Sequence, residues 1–138
     1  MTVADAYPLP NIMDTLDKLQ GSAVFSTLDA SAAYHTIPVE PRAKPLLAFI
    51  TPWGLYTFNR MPFGAKNAGA TYSQFVEILV GRLRSPHILS YLDDVITHTK
   101  GLEDHLVELR KVFQAHRQGG ICLRPAKTFL FQAEADYL

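Results

Sequence analysis

Tyr91-Leu92-Asp93-Asp94 lies between two short apolar runs, His87-Ile88-Leu89-Ser90 before it and Val95-Ile96-Thr97 after it. Both runs have strand length and β-branched content, so the stretch predicts a β-hairpin with the aspartates at its tip. Aspartates are common in turns because their side chains bond nearby backbone N–H groups. Two adjacent carboxylates nevertheless repel each other, and Asn-Gly or Asp-Gly would turn the chain with less strain. Carboxylates held together on a rigid hairpin are what a divalent cation requires, since Mg²⁺ takes hard oxygen ligands and usually one or two carboxylates.

Working outward, Asn67 opens a helix whose apolar face is Tyr72, Phe75, Val76, Leu79, Val80 and Leu83, at helical period. A second amphipathic helix follows the hairpin from about Leu102, with Leu106, Leu109, Val112, Phe113 and His116 expected on its buried side and Gly119-Gly120 ending it. Upstream, Tyr7-Pro8-Leu9-Pro10 is extended, Asn11 caps a short helix carrying Ile12, Leu16 and Leu19, and Ala23 to Leu28 reads as a strand ending at Asp29. Ala30 to Ala33 is a small-residue turn or single helical turn, and Tyr34 to Val39 extends again. Leu46 to Ile50 and Leu55 to Phe58 are apolar runs separated by a turn at Thr51-Pro52-Trp53-Gly54. Ile121 to Leu123 and Thr128 to Phe131 read as strands, with a last one starting near Ala135. The order implies an α+β fold, an antiparallel sheet with helices packed on one face. A strictly parallel βαβ sheet is disfavoured by the hairpin.

The 138 residues suit one domain with one core, and 48% hydrophobic with 19% charged residues is a globular composition. Lys plus Arg and Asp plus Glu number 13 each, so net charge points to no polyanionic partner. Between Tyr34 and Phe75, however, Arg42, Lys44, Arg60 and Lys66 face Glu40 alone, a pattern that a solvated surface explains as readily as a phosphate path. A single cysteine, Cys122, excludes an internal disulfide and suits a reducing compartment. Zinc spacing is absent from the Cys and His residues, and neither a membrane-spanning apolar run nor a signal peptide is present. The stop at Tyr137-Leu138 carries no terminating signal and reads as a piece of a longer protein.

Asp29 is the candidate partner of the hairpin. If its strand lies beside the hairpin, Asp29 and Asp93 face one another across the sheet, and carboxylates so placed can bridge a pair of metals for in-line displacement at phosphorus. Taken by itself, Asp29 reads equally well as a turn or N-cap aspartate before Ala30-Ser31.

Tyr7-Pro8-Leu9-Pro10, Phe25-Ser26-Thr27-Leu28-Asp29, Tyr34-His35, Gly54-Leu55-Tyr56, Met61-Pro62-Phe63-Gly64, Asn67-Ala68 and Tyr91-Leu92-Asp93-Asp94 stand in an order and spacing that resembles a reverse transcriptase, in particular those of gypsy-type LTR retrotransposons. The resemblance covers nearly the whole chain. It implies a polymerase palm with parts of the fingers over 1–138, and an RNA-directed DNA polymerase that adds deoxynucleotides (dNTPs) to a primer 3′-hydroxyl on an RNA or DNA template, with Mg²⁺ or Mn²⁺. It places a catalytic triad on Asp29, Asp93 and Asp94, with Asp29 and Asp93 as main metal ligands, Asp94 more peripheral, and the backbone of Ala30 lining the metal and triphosphate site. Ala33, Tyr34, Phe63 and Gly64 are expected at the nucleotide, with Tyr34 under the sugar excluding a 2′-hydroxyl. Tyr91, Met61 and Lys66 are expected at primer or template, with Arg60 a further phosphate contact, while Met61 and Phe63 read equally as core and Trp53 as structural. The resemblance also implies basic fingers residues upstream, and the primer grip, thumb and RNase H domain downstream, alongside an integrase within one polyprotein. An intracellular setting follows, in cytoplasm, retroelement particle or nucleus. His98, Thr99 and Thr36-Ile37-Pro38 depart from the family pattern without touching the triad. A non-catalytic remnant that keeps the fold and binds partners is the rival expectation.

Overall fold

The computed structural model describes residues 12–135; the extended Tyr7–Pro10 segment, the Asn11 cap and Tyr137-Leu138 lie outside them. Helix α1 (Ile12–Leu19) is followed by strand β1 (Val24–Ser31), the small hairpin β2 (Phe49–Thr51) and β3 (Gly54–Tyr56), helix α2 (Ala68–Gly81), the hairpin β4 (Ile88–Tyr91) and β5 (Asp94–Thr99), helix α3 (Leu102–Gly119), and strands β6 (Cys122–Leu123) and β7 (Phe129–Gln132). The main sheet runs β4-β5-β1-β6, with β7 also pairing β1, and every pairing is antiparallel. The expected α+β architecture is the observed one.

Alternation along β1 explains how the sheet acquires two different faces. Ser26, Leu28 and Ala30 are buried, whereas Phe25, Thr27 and Asp29 between them are only partly covered. Leu28 pairs with Val95, and these join Tyr72, Val76 and Leu79 of α2 and Leu109, Val112 and Ala115 of α3 in one core. Full burial of one such aliphatic side chain is worth about 1.5–3 kcal/mol, so this face holds the domain together. The opposite face of β1 carries Asp29.

Buried polar groups tie α3 to three strands. Phe131 N–H donates to Ser26 Oγ at 3.1 Å, and Thr99 Oγ1 donates to Gly101 O at 2.8 Å. The remaining contacts are Ser26 Oγ to His105 Nε2 at 2.7 Å and Thr99 Oγ1 to His105 Nδ1 at 3.0 Å. One neutral tautomer satisfies them all: Nδ1–H donates to Thr99 and Nε2 accepts from Ser26. At the end of α3, Gly120 (φ 67°) closes the helix, with Gly120 N–H donating to Arg117 O and Ile121 N–H to His116 O, the Schellman pattern.

Several expectations are corrected. β1 continues through Asp29 to Ser31, because Ala30 and Ser31 pair with Leu123 and Cys122 of β6. Ala32 then takes a left-handed conformation (φ 49°) and Ala33–Thr36 is a 3₁₀ turn, so Tyr34 sits on a turn and not in an extended segment. On α3, Leu109, Val112 and His116 are buried as expected, but Leu106 and Phe113 are exposed along an open groove that they line with Leu130 and Phe131 of β7. The strand expected to start near Ala135 lies outside the described residues.

Candidate active site

The β4–β5 hairpin turns through Leu92 and Asp93 alone, since Tyr91 pairs directly with Asp94. Leu92 takes φ 54°, a region that Gly adopts freely and Leu only at a cost of about 1–2 kcal/mol. The ladder hydrogen bonds on either side enforce that strain, and it projects Asp93 at the tip. Asp94, the first residue of β5, stands directly opposite Asp29 of β1. Residues opposite one another in an antiparallel pair share a face, so these two carboxylates meet on the side of the sheet away from the helices, where like charges destabilise. The register partner of Asp29 is thus Asp94, with Asp93 one residue beyond, and the direct Asp29–Asp93 facing expected from sequence is replaced by this arrangement.

The electrostatics match the crowding. Burial raises the Asp93 carboxyl above its ordinary value, and the Asp29 charge adds to the effect. Asp94 is raised by burial first and then by Asp29 and Asp93, with Lys127 pulling the other way. Asp29 has one oxygen, Oδ1, buried without a hydrogen-bond partner. Two cations approach it that the sequence did not single out: Arg124 Nη1 lies 3.6 Å from Oδ1 and Lys127 Nζ 3.9 Å from Oδ2. They arrive because Arg124 N–H bonds Asp29 O, which anchors the Pro125–Lys127 turn beside β1. Among the described residues no group of three or more His, Cys, Asp and Glu stands close enough together to hold a metal ion. The donor set still fits a hard divalent cation, being carboxylate oxygens with one buried acceptor unsatisfied.

Tyr34 stands in an aromatic cluster. Its ring centroid is 5.3 Å from that of Phe63 and 6.0 Å from that of Tyr72, the latter edge-on. Phe63 also contacts His35 at 5.1 Å and remains 63% exposed. Gly64 takes φ 81° with open space where a Cβ would project, so backbone conformation is what requires glycine there. Tyr72 is buried, its hydroxyl has no hydrogen-bond partner, and burial followed by the charges of Asp93, Asp29 and Asp94 pushes its phenol well above the ordinary value.

A sequence profile described as reverse transcriptase (RNA-dependent DNA polymerase) matches residues 1–138. This chain belongs to the reverse transcriptase family. The Tf2-3 transposon polyprotein of Schizosaccharomyces pombe is 32% identical over 132 residues, which is 96% of this chain and 10% of the polyprotein. The Tf2-7 polyprotein of the same organism is 31% identical over the same spans. The chain therefore covers about a tenth of the length of these curated relatives. Among solved structures, a foamy viral protease–reverse transcriptase in complex with double-stranded DNA shares the fold at TM-score 0.87 and 24% identity, over 99% of this chain and 24% of the other. Native prototype foamy virus protease–reverse transcriptase matches at TM-score 0.70 and 26% identity, over 79% of this chain and 14% of the other.

Within this reverse transcriptase segment the remaining expected residues separate. Met61 is buried in the core and its N–H bonds Ile37 O, in keeping with the core reading its sequence also allowed. Ala30 and Ala33 likewise turn their methyl groups into the core, which leaves only their backbones for a ligand. Arg60 is exposed, and its Nη1 donates to Thr36 O at 2.7 Å, which braces the loop. Lys66 is exposed beside the start of α2, and Tyr91 is half-buried at the end of β4. Trp53, expected to be structural, is 85% exposed at the β2–β3 turn. Sequence reasoning missed Arg124, Lys127 and the hydroxyl of Tyr72. Only the Arg124-Pro-Ala-Lys127 spacing after a strand could have pointed to the first two.

Proposed function

We propose that this chain is the palm, with part of the fingers, of a retroelement polymerase that adds deoxynucleotides to a primer 3′-hydroxyl on an RNA or DNA template. The observation that carries the reading is the register of Asp29 against Asp94 with Asp93 in the strained turn next to it, a like-charge arrangement that stability alone does not favour. Asp29 and Asp93 would hold two Mg²⁺ or Mn²⁺ ions, with Asp94 at their periphery and the Ala30 backbone beside them. When bound, such ions supply Lewis acidity at the reacting oxygens and phosphorus. The chain's own residues hold the reactants: Tyr34 under the sugar of the incoming dNTP, Ala33, Phe63 and Gly64 around it, Tyr91 at the primer end and Lys66 toward a phosphate. No Ser or His nucleophile is needed, because positioning and charge compensation carry phosphoryl transfer.

Template-primer and dNTPs are the partners this implies, together with RNase H and integrase portions of a longer polyprotein, inside the cell. Among the described residues no helix is long and apolar enough to cross a membrane. The test is primer extension by the full-length polymerase carrying this chain. Asp29→Asn and Asp93→Asn should each reduce synthesis to background. In thermal unfolding Mn²⁺ should stabilise the unsubstituted protein by about 2.7 kcal/mol at a hundredfold excess over its dissociation constant, and Asp93→Asn should lose most of that gain. Primer extension by Asp93→Asn at the unsubstituted rate would overturn the proposal and favour a remnant that keeps only the fold.

A further inference from the structure

Tyr34 does not hold its own position. It lies in a short 3₁₀ turn directly after a left-handed residue, Ala32, and a four-residue turn of that kind fixes a side chain poorly by backbone hydrogen bonding alone. Its ring is flanked by Phe63, which stays largely exposed, and by α2. Gly69 and Tyr72 are three residues apart, hence on one side of that helix. The Tyr34 hydroxyl lies 3.8 Å from where a Cβ at residue 69 would stand, and the Tyr72 ring meets the Tyr34 ring edge-on at 6.0 Å. Tyr72 is itself immovable, being 1% exposed inside the main core and in ring contact with Phe75 at 6.2 Å.

We propose that Gly69 and Tyr72 form a seat on α2 that aims Tyr34, making them positioning residues for the choice between deoxyribose and ribose in the incoming nucleotide. A Cβ at residue 69 would meet the phenol end of Tyr34 at ordinary contact distance, so anything larger there would press on Tyr34. The Tyr72 ring, edge-on to that of Tyr34, limits how far Tyr34 can swing. A buried tyrosine whose hydroxyl finds no partner is a poor choice for stability, costing about 1–3 kcal/mol against a satisfied group. The ring is therefore kept for what it touches. The inference rests on the reading of Tyr34 as the residue beneath the sugar, and the experiment separates the two.

The measurement is the ratio of kcat/KM for a deoxynucleotide to that for the matching ribonucleotide, in the full-length polymerase carrying this chain. Tyr34→Ala should collapse the ratio; if it does not, the reading of Tyr34 fails and this inference falls with it. Tyr72→Leu keeps an apolar filler but removes the ring, and should lower the ratio by about tenfold or more while deoxynucleotide kcat stays within a few-fold, since small misplacements near reacting groups have effects of this size. Tyr72→Phe keeps the ring, so the ratio should hold while the melting temperature rises with loss of the orphaned hydroxyl. Gly69→Val pushes Tyr34 the other way and should raise deoxynucleotide KM without admitting ribonucleotides. Were Tyr34→Ala to collapse the ratio while Tyr72→Leu slowed both nucleotides in proportion, the seat would be ordinary core packing and the inference overturned. A Tyr72→Phe variant that loses discrimination would also overturn it, by assigning the role to the hydroxyl.

Discussion

The β1–β5 ladder and the β2–β3 hairpin are both antiparallel pairs, yet they stand in opposite relations to water. β1 and β5 bury Leu28, Val95, Ile96 and Thr97 almost completely. The β2–β3 hairpin and its approach leave Leu46, Ile50, Trp53 and Leu55 at 70–85% exposure, and its order comes from Phe49 stacking on Tyr56 at 5.9 Å and Thr51 Oγ1 donating to Gly54 O. Antiparallel pairs thus contribute to the fold in proportion to what lies beneath them, and a two-stranded hairpin without a covered face is marginal in water. The ladder with the deep core is also the one that can afford the Asp29–Asp94 opposition and the strained Leu92.

The largest effect should come from setting the two regions side by side. Leu28→Ala should lower the unfolding free energy of the 138-residue chain by about 2–5 kcal/mol, whereas Leu55→Ala should stay within about 0.5 kcal/mol. Denaturant titration of both variants checks it, and equal losses would erase the distinction between the ladder and the hairpin.

A middle-sized effect concerns the buried His105. Burial pulls its pKa below the ordinary 6.5, as it does for His98 and His116. A depressed histidine contributes stability that is fully present above 6.5 and is lost as pH falls through the folded value, because the unfolded chain binds the proton more readily. Stability should therefore decline as pH is lowered from neutral. His105→Ala, which strands the Ser26 and Thr99 hydroxyls, should cost about 1–3 kcal/mol at neutral pH and make that decline shallower. An unchanged slope would show that His105 protonates equally well in the folded state.

The smallest effect has the opposite sign. Asp93 and Asp94 are raised, so they favour folding at low pH and lose that contribution as pH climbs through their folded values. At neutral pH without metal, Asp94→Asn removes one of two opposed charges and should stabilise the chain by about 0.2–1 kcal/mol. A clear loss of stability in thermal unfolding would make Asp94 a structural partner of Lys127 and end the view that this ladder carries functional strain.

Local pattern carried much of this structure. The hairpin around Leu92-Asp93, the buried face of α2 and the start and end of α3 are visible because side-chain period and capping residues act within a few positions of one another. Leu106 and Phe113 mark where that reasoning stops: their spacing belongs to the apolar stripe of α3, but a stripe says nothing of how wide the covering layer is. The exposed apolar residues near Trp53 mislead in the same way, since hydrophobicity predicts a preference for burial and cannot supply a partner surface. For Tyr34, strand-like composition lost to the left-handed Ala32, whose conformation follows from β6 pairing with Ala30 and Ser31.

By itself the sequence determined the reverse transcriptase family and the α+β class, and it singled out Asp29, Asp93 and Asp94 as candidates, since these rest on residue types at fixed spacings along the chain. Tertiary structure alone decided that Asp94 and not Asp93 faces Asp29, that Arg124 and Lys127 approach the same carboxylate, and that Tyr72 and Gly69 border Tyr34. These juxtapositions join residues far apart in sequence through ladder register and helix docking. Register is set by cooperative hydrogen bonding across whole strands, and a shift of one residue would turn Asp29 into the core.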